Sequence, residues 1–584
     1  MLDIVTGTSG PAIGVTQGRP AFLATKHVVS STHYLATMAG LRMFALGGNA
    51  ADAGVAAGVA LNVLERHLTD FGGVAPIMFF RPGMPRPETI AGVGCWPRRL
   101  TLERYIARYG ADMPDGAPRY VTPAAPDAWL TALARYGHLT LGEVLGPARE
   151  LCEGFPVYDR LARTIAQLAS RLREWPASAR VFLPNGRPLQ TGEVLVQREL
   201  GSLFARLTEI ERGAKDRGRE AAIMAARDEI YCGDLARVIA AHAGRTGSEL
   251  DTEDLAAYRA AVEPSISSTY RGVEVHSCGP WSQGPLVPMI LNLLQGADVR
   301  ALGHGTASYL HLVAEAIKLA CADREGFFGD PNLVEVPIAG LLSQEYADER
   351  RRLIDPARAC PQLPLPGNPW RYEGRSGPAG YVPPLVPGKP QPDTSYVCAM
   401  DAEGNAFSAT PSDPGLSAPL VDGLGMIIST RGSQLWTTRG HPSAIAPGKR
   451  PRLTPNPAML VKSGRALMPF GCPGGDAQAQ AMVQVAVNVV DFGMNVQAAI
   501  EAPRVISASF PSSFHPHGYE PGVLRVEARI PPDVRDALTA RGHTIHLLPD
   551  LAPAAAAVCA IRRLDNGVLE GGADPRRQSY AAGW

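Results

Sequence analysis

The sequence predicts an α+β protein, a helix-rich large segment followed by a strand-rich small one, and three observations carry that expectation. Helical periodicity dominates from about Trp129 to Tyr346. Short apolar runs bounded by Gly, Pro and Asn dominate after residue 394. Between them, residues 361–392 contain ten prolines, which lack an amide donor and have a fixed φ, so that stretch builds neither a helix nor a central strand. It reads as an exposed connector. The segments are therefore 1–393, closing with the connector 361–393, and 394–584.

In chain order, Leu35–Leu46 and Asp52–Leu64 are apolar-periodic, rich in Ala and Gly, and split by Gly47-Gly48-Asn49, which predicts a tightly packed helix pair. Ala75–Phe80, between Gly72-Gly73 and Pro82-Gly83, reads as a buried strand. Asp254–Ala261 and Ala307–Ala322 read as helices, with Val273–His276 extended between them. After the connector, Thr394–Met400 and Ala406–Thr410 flank Asp401-Ala-Glu-Gly-Asn405, a hairpin pattern. Asp476–Phe492 is helical, and from Leu524 onward strands alternate with one helix near Pro532–Arg541.

Composition excludes several classes of function. Of 584 residues, 56 are Lys or Arg and 56 are Asp or Glu, so no net field exists to recruit nucleic acid or an anionic membrane. Ala50–Leu64, the most apolar stretch, is shorter than a membrane span and contains Asp52 and Asn62. Residues 1–20 show no secretory signal pattern, and the nine cysteines are scattered singly without C-x-x-C spacing, so a reducing cytoplasm is the expected location. No cofactor or metal is expected: H-E-x-x-H is absent, and Pro516 separates His515 from His517.

Two segments are candidates for chemistry. Gly471-Cys-Pro-Gly-Gly-Asp476 enters a helix and offers backbone N–H groups to an anion or oxyanion, although the same composition also serves as ordinary strand-to-helix punctuation. It lacks the Lys-Ser or Lys-Thr of a P-loop, which disfavours nucleotide binding. Thr394-Ser395 begins a strand directly after the connector; by composition alone it is unexceptional. Trp281-Ser282-Gln283-Gly284 lacks the first glycine of a nucleophile elbow.

Taken together, nine motifs resemble the γ-glutamyltransferase family in order and spacing, across about residues 25–510. They are Leu46-Gly-Gly-Asn-Ala-Ala-Asp-Ala53, Phe71-Gly-Gly73, Glu253-Asp-Leu-Ala-Ala-Tyr258, Tyr270-Arg-Gly272, Ala322-Asp-Arg324 with Gly329-Asp-Pro331, Thr394 through Asn405, Gly448-Lys-Arg-Pro451, Pro473-Gly-Gly475 and Ala502-Pro-Arg504. The resemblance implies an αββα N-terminal-nucleophile hydrolase, made as one precursor and cut into a large and a small subunit. It implies Thr394 as nucleophile, Asp393–Thr394 as the scissile bond, Gly474 and Gly475 as oxyanion donors, and Ser412 as a second hydroxyl on the nucleophile. Once freed, the Thr394 α-amino group, with a reference pKa of about 7.7–8, is an adjacent general base.

Departures from the family concern the substrate. The family's carboxylate-binding Arg is replaced by Val93, and its two adjacent serines fall on Leu453 and Thr454. Its acidic residue for the substrate amine falls near Gln434, and Arg431 stands where an amide or acid is usual. Arg431 fits either a carboxylate of a different substrate or a surface or structural salt bridge. The pattern resembles the amidohydrolase and acylase branch, which includes oxamate amidohydrolase and cephalosporin acylases. The expected activity is hydrolysis of a small-molecule amide with an acyl or carboxylate-bearing group, through an acyl-enzyme passed to water or an amine. The alternatives are a true γ-glutamyltransferase with altered recognition residues and a non-catalytic binding protein on this fold. The connector is expected to cover the site until the cut and to swing away afterwards.

Overall fold

The computed structural model describes residues 17–388 and 394–584. Asp393 and the four residues before it, where the connector is expected to cover the site, lie outside the described residues.

Helices and sheets both contribute, giving an α+β fold around two seven-stranded sheets. The first runs, in spatial order, Phe22–Ala24, Leu569–Ala573, Cys559–Arg563, Arg465–Gly471, Ala458–Lys462, Val273–Ser277, Ile266–Tyr270. The second runs Tyr580–Gly583, His27–Ser31, Val397–Asp401, Ala406–Ala409, Ile77–Phe80, Glu88–Ala91, Ala261–Pro264. All neighbours in both sheets are antiparallel. Each sheet takes strands from both sides of residue 394.

The strand period of two sorts side chains onto two faces. Val397 and Ala399 join a core with the helical part of the chain, whereas Cys398 and Met400 meet Met459, Val461 and Ile561 of the other sheet. Ile77 and Phe79 divide from Met78 and Phe80 in the same way. On the first sheet, Ala458 and Leu460 face a separate core built with helices Leu286–Gln295, Ala307–Phe327 and Gln478–Val490. Strands buried on both faces lack the polar alternation of a half-exposed sheet, which is why Ile77–Phe80 and Val397–Asp401 read as continuous apolar runs.

Helix Ala50–Leu64 is buried along all 15 residues. Asn49 caps it and, with Asp52, forms a reciprocal capping box. Its glycines provide close approach: a Cβ on Gly54 would sit 2.1 Å from the Phe407 ring, and one on Gly58 would sit 2.3 Å from Trp129. Helix Tyr34–Ala45 packs beside it. No helix among the described residues is long and apolar enough to cross a membrane.

Two expectations need correction. The helix at Asp254–Ala261 is instead Thr252–Ala257, and Ala261–Pro264 is the edge strand of the second sheet. Tyr258 ends the helix because its hydroxyl reaches the Val93 carbonyl (3.1 Å), anchoring an extended backbone to the sheet. The connector is also not wholly exposed: Pro369–Glu373 forms a short 3-10 turn with Trp370 buried, its indole N–H donating to the Pro378 carbonyl (2.8 Å). Buried aromatic area there outweighs the unfavourable proline composition.

Candidate active site

The strand Val397–Asp401 is third from one edge of its sheet, hydrogen-bonded to His27–Ser31 on one side and Ala406–Ala409 on the other. Thr394 lies just ahead of it, fully buried. The chain returns through Ala406–Ala409 and places Ser412 opposite Thr394: Ser395 N–H donates to the Pro411 carbonyl (2.9 Å), and the Thr394 and Ser412 hydroxyl oxygens are 2.9 Å apart. Ser412 is fixed by paired backbone bonds with Val74, at 2.9 and 3.2 Å. Gly72 and Gly73 allow this approach, because Cβ atoms there would lie 1.9 Å from the Ile427 carbonyl oxygen and 2.4 Å from that of Ser412. Glycines that read as strand punctuation thus also clear space, Gly73 for Ser412 and Gly72 for Ile427.

Two side chains that sequence reasoning missed complete the surroundings of Thr394. Gln478 Nε2 donates to Thr394 Oγ1 (3.1 Å), and Arg577 donates to the Thr394 carbonyl (2.8 Å). Arg577 is buried, and burial with Arg160 nearby pulls its pKa down to about 9 against the opposing charge of Glu65. Gln478 is the first residue of helix Gln478–Val490, directly after the turn that contains Gly474 and Gly475. These glycines have φ of +130° and +57°, and a Cβ on Gly474 would meet the Ala556 Cβ at 2.9 Å. The Gly475 carbonyl accepts from Gln283 Nε2 (2.9 Å), and Asp476 accepts from Arg324 (2.6 Å) and the Ser513 hydroxyl (2.6 Å). The turn is therefore braced from both sides.

Arg431 donates to the Ser412 hydroxyl and lies over the Phe514 ring, 5.4 Å from its centroid. It is 1% exposed, which removes the reading of a surface salt bridge; its nearest described carboxylate is Asp413, at 4.0 Å. Asp413 accepts from the Ser429 hydroxyl (2.5 Å) and from the Thr430 amide (3.0 Å) and hydroxyl (2.7 Å). Burial raises its pKa against the pull of Arg431. Gln434 lies 3.5 Å from Arg431 and donates to Thr454 Oγ1 (3.2 Å), so these three form one polar chain leading to Ser412. A cavity of about 480 Å³ opens beside Arg431 and is lined further by Asp413, Thr430, Phe514, Arg119 and Arg171.

The remaining candidates lie elsewhere. Val93 is buried in the helix-side core, its carbonyl taken by Tyr258. Ser282 Oγ donates to the Gly279 carbonyl (3.0 Å) and accepts from the Gly284 amide (2.9 Å), the role of a turn residue. The His515 and His517 rings diverge, the first toward Asp112 and the second onto the Ser512 carbonyl. The nine cysteines are free thiols.

A hydroxyl pair alone is common, but here one hydroxyl stands just ahead of a buried strand, flanked by a guanidinium-bound serine and by an amide donor that opens a helix directly after a glycine turn. That arrangement is suited to attack on a carbonyl and stabilisation of the resulting oxyanion. The family described as Gamma-glutamyltranspeptidase matches residues 36–584. The chain is 31% identical over 568 residues to the Glutathione hydrolase-like YwrD proenzyme of Bacillus subtilis (strain 168), covering 96% of this chain and 99% of that one. It is 34% identical over 546 residues to the Acylase ACY 1 proenzyme of Pseudomonas sp. (strain SE83), covering 90% and 88%. The crystal structure of a cephalosporin acylase from Bacillus halodurans superposes with a TM-score of 0.84 at 30% identity, over 100% of this chain and 99% of that one. With a site of this build and family likeness along nearly its whole length, the chain belongs to the γ-glutamyltranspeptidase family of enzymes, the family of hydrolases, acylases and amidohydrolases.

Proposed function

We propose that this protein is a self-cleaving N-terminal-threonine amidohydrolase with an αββα core. It cuts its own Asp393–Thr394 bond and then hydrolyses the amide of a small acyl or carboxylate-bearing substrate. The observation that carries this reading is the hydroxyl pair Thr394–Ser412 at 2.9 Å, with Gln478 on the same Thr394 oxygen. In the proposed reaction Thr394 Oγ1 attacks the substrate carbonyl, and the freed α-amino group takes the hydroxyl proton. The oxyanion is held by the turn Gly474–Gly475, the leaving amine departs, and water releases the acyl group. Gln478 and Ser412 orient the attacking oxygen, while Arg431 holds Ser412 and presents cationic charge to the cavity. The acylase name of one relative supports amide hydrolysis. The glutathione hydrolase-like name of another supports the competing reading, a true γ-glutamyltransferase. Against that reading, Gln434 and Thr454 are bonded to each other and supply neither the acid nor the serine pair expected for an amino-acid zwitterion.

The test is intact-mass analysis of wild type and Thr394→Ala, followed by assays on oxamate, simple N-acyl amides and a γ-glutamyl anilide. Expected are two wild-type fragments split before Thr394, one uncut inactive variant, and turnover of acyl amides. An active Thr394→Ala variant would refute the mechanism, an uncut and inactive wild type would favour a binding protein, and turnover confined to the γ-glutamyl anilide would favour the transferase.

A further inference from the structure

A buried cluster at the opposite end of helix Ala307–Phe327 from Arg324 has no part in the proposed reaction. His311 and Glu315 are four residues apart and share one helix face. His543 joins them from the turn between helix Pro532–Ala540 and strand Thr544–Leu548. One ligand atom from each of the three lies within 4.8 Å of the others, and the residues are 1%, 4% and 2% exposed. We propose that His311, Glu315 and His543 bind one borderline divalent transition-metal ion, with Zn²⁺ as the representative.

Several features of the cluster support a cation rather than a purely structural hydrogen bond. His311 Nε2 lies 2.8 Å from the Asp355 carbonyl, which can only accept, so Nε2 carries the proton and Nδ1 directs its lone pair into the cluster. A ring held through its other nitrogen by a backbone carbonyl is the arrangement that orients metal-binding histidines. His543 Nε2 is 2.9 Å from that lone pair. With metal–nitrogen bonds of about 2.0–2.1 Å, nitrogens this far apart subtend an angle of about 90° at a shared ion, so cis ligation needs almost no ring movement. A tetrahedral ion requires them to part by about a further 0.4 Å. Because His543 Nε2 donates to His311 Nδ1 in the ion-free protein, binding moves that proton to His543 Nδ1 without changing the ring's charge. That Nδ1 is buried and has no hydrogen-bond partner among the described residues, so its N–H in the bound form is a cost set against the three ligand bonds. Two imidazoles and one carboxylate suit Zn²⁺, Co²⁺, Ni²⁺ or Cu²⁺ and disfavour Mg²⁺ or Ca²⁺.

Lys318 competes with the ion. Its ammonium is 2.6 Å from Glu315 Oε1 and also donates to the Cys360 carbonyl (2.7 Å). It neutralises the carboxylate in the ion-free protein, so removing it should tighten binding. The other carboxylate oxygen accepts the Cys360 amide (3.1 Å). An ion here ties the helix to the 355–360 segment and to the turn at 543. The site lies about 14–20 Å along the helix from Arg324, the residue that braces Asp476.

Full-length protein stripped with a chelator is titrated with Zn²⁺ by calorimetry and with Co²⁺ by visible absorption, and its melting midpoint is followed. Expected are one equivalent bound, an imidazole-type Co²⁺ spectrum and a higher midpoint with Zn²⁺. His543→Ala and Glu315→Gln should each weaken binding at least about tenfold, Lys318→Met should tighten it, and the exposed-site control His546→Ala should leave it unchanged. If His543→Ala does not fold, His543→Gln replaces it, and the wild-type Co²⁺ spectrum is read independently of any variant. No saturable binding to wild type, or binding undiminished in a folded His311→Ala/His543→Ala protein, overturns the site.

Discussion

Thr394 has a φ of +153°, a region that a β-branched residue rarely occupies. Such a conformation costs about 1–3 kcal/mol and persists only where neighbours enforce it. The enforcing contacts are the Arg577 bond to its carbonyl and the Ser412 and Gln478 bonds to its hydroxyl. A chain cut before Thr394 leaves that residue without a φ, so the proposed scission releases the strain. Ser412→Ala should leave the fold intact and remove about 1.5–3 kcal/mol of transition-state stabilisation, the worth of a hydrogen bond to a charged partner. Gln478→Met should do the same. Both losses should appear mainly in kcat, as about ten- to a hundredfold decreases in steady-state assays of processed enzyme, and as slower appearance of fragments on gels.

At the scale of elements, helix Ala50–Leu64 depends on two missing side chains. Gly54→Ala puts a methyl group into the Phe407 ring on the strand that leads to Ser412, in a helix with no exposed face along which to move. Overpacking of this kind costs about 1–3 kcal/mol. We expect a lower denaturation midpoint and slower self-cleavage, whereas Gly244→Ala, at an exposed position of helix Asp234–Thr246 where nothing lies within 4 Å of the added atom, should leave both unharmed. This contrast shows where the sequence was legible. The helix pair, the Ile77–Phe80 strand and the hairpin through Asp401 follow from local pattern, cap and turn chemistry. The end of the helix at Ala257 and the burial of Trp370 do not, because each is decided by a partner distant in the chain. The site divides similarly. Thr394 and Ser412 are 18 residues apart on one hairpin and could be found together. Gln478, Arg577 and His543 are lone polar residues brought into place only by tertiary folding, and local sequence carries no signal for them; the i, i+4 spacing of His311 and Glu315 is a local pattern, but nothing local supplies its third member.

At the scale of the molecule, the strand Val397–Asp401 is held on both sides by strands from within the first 393 residues or from its own hairpin, and both sheets combine strands from the two segments. Separating the segments would strip ladder bonds from both sheets and expose the apolar layer that includes Val28, Met78, Cys398 and Met459. The processed protein should therefore run as one particle in size-exclusion chromatography and resolve into two chains only in denaturant. Two separately eluting species without denaturant would contradict this.

The interleaving of strands also fixes an order of events. Thr394 gains all its neighbours only when Gln478 and Arg577, from two distant parts of one continuous chain, have joined Ser412 of its own hairpin. Two chains corresponding to these segments and made from separate genes would have to find each other and thread two sheets at once, a slow bimolecular search with exposed strand edges. A single precursor avoids that search, and the scission proposed above would act as a timestamp: a molecule cut in this way is one whose assembly was already complete.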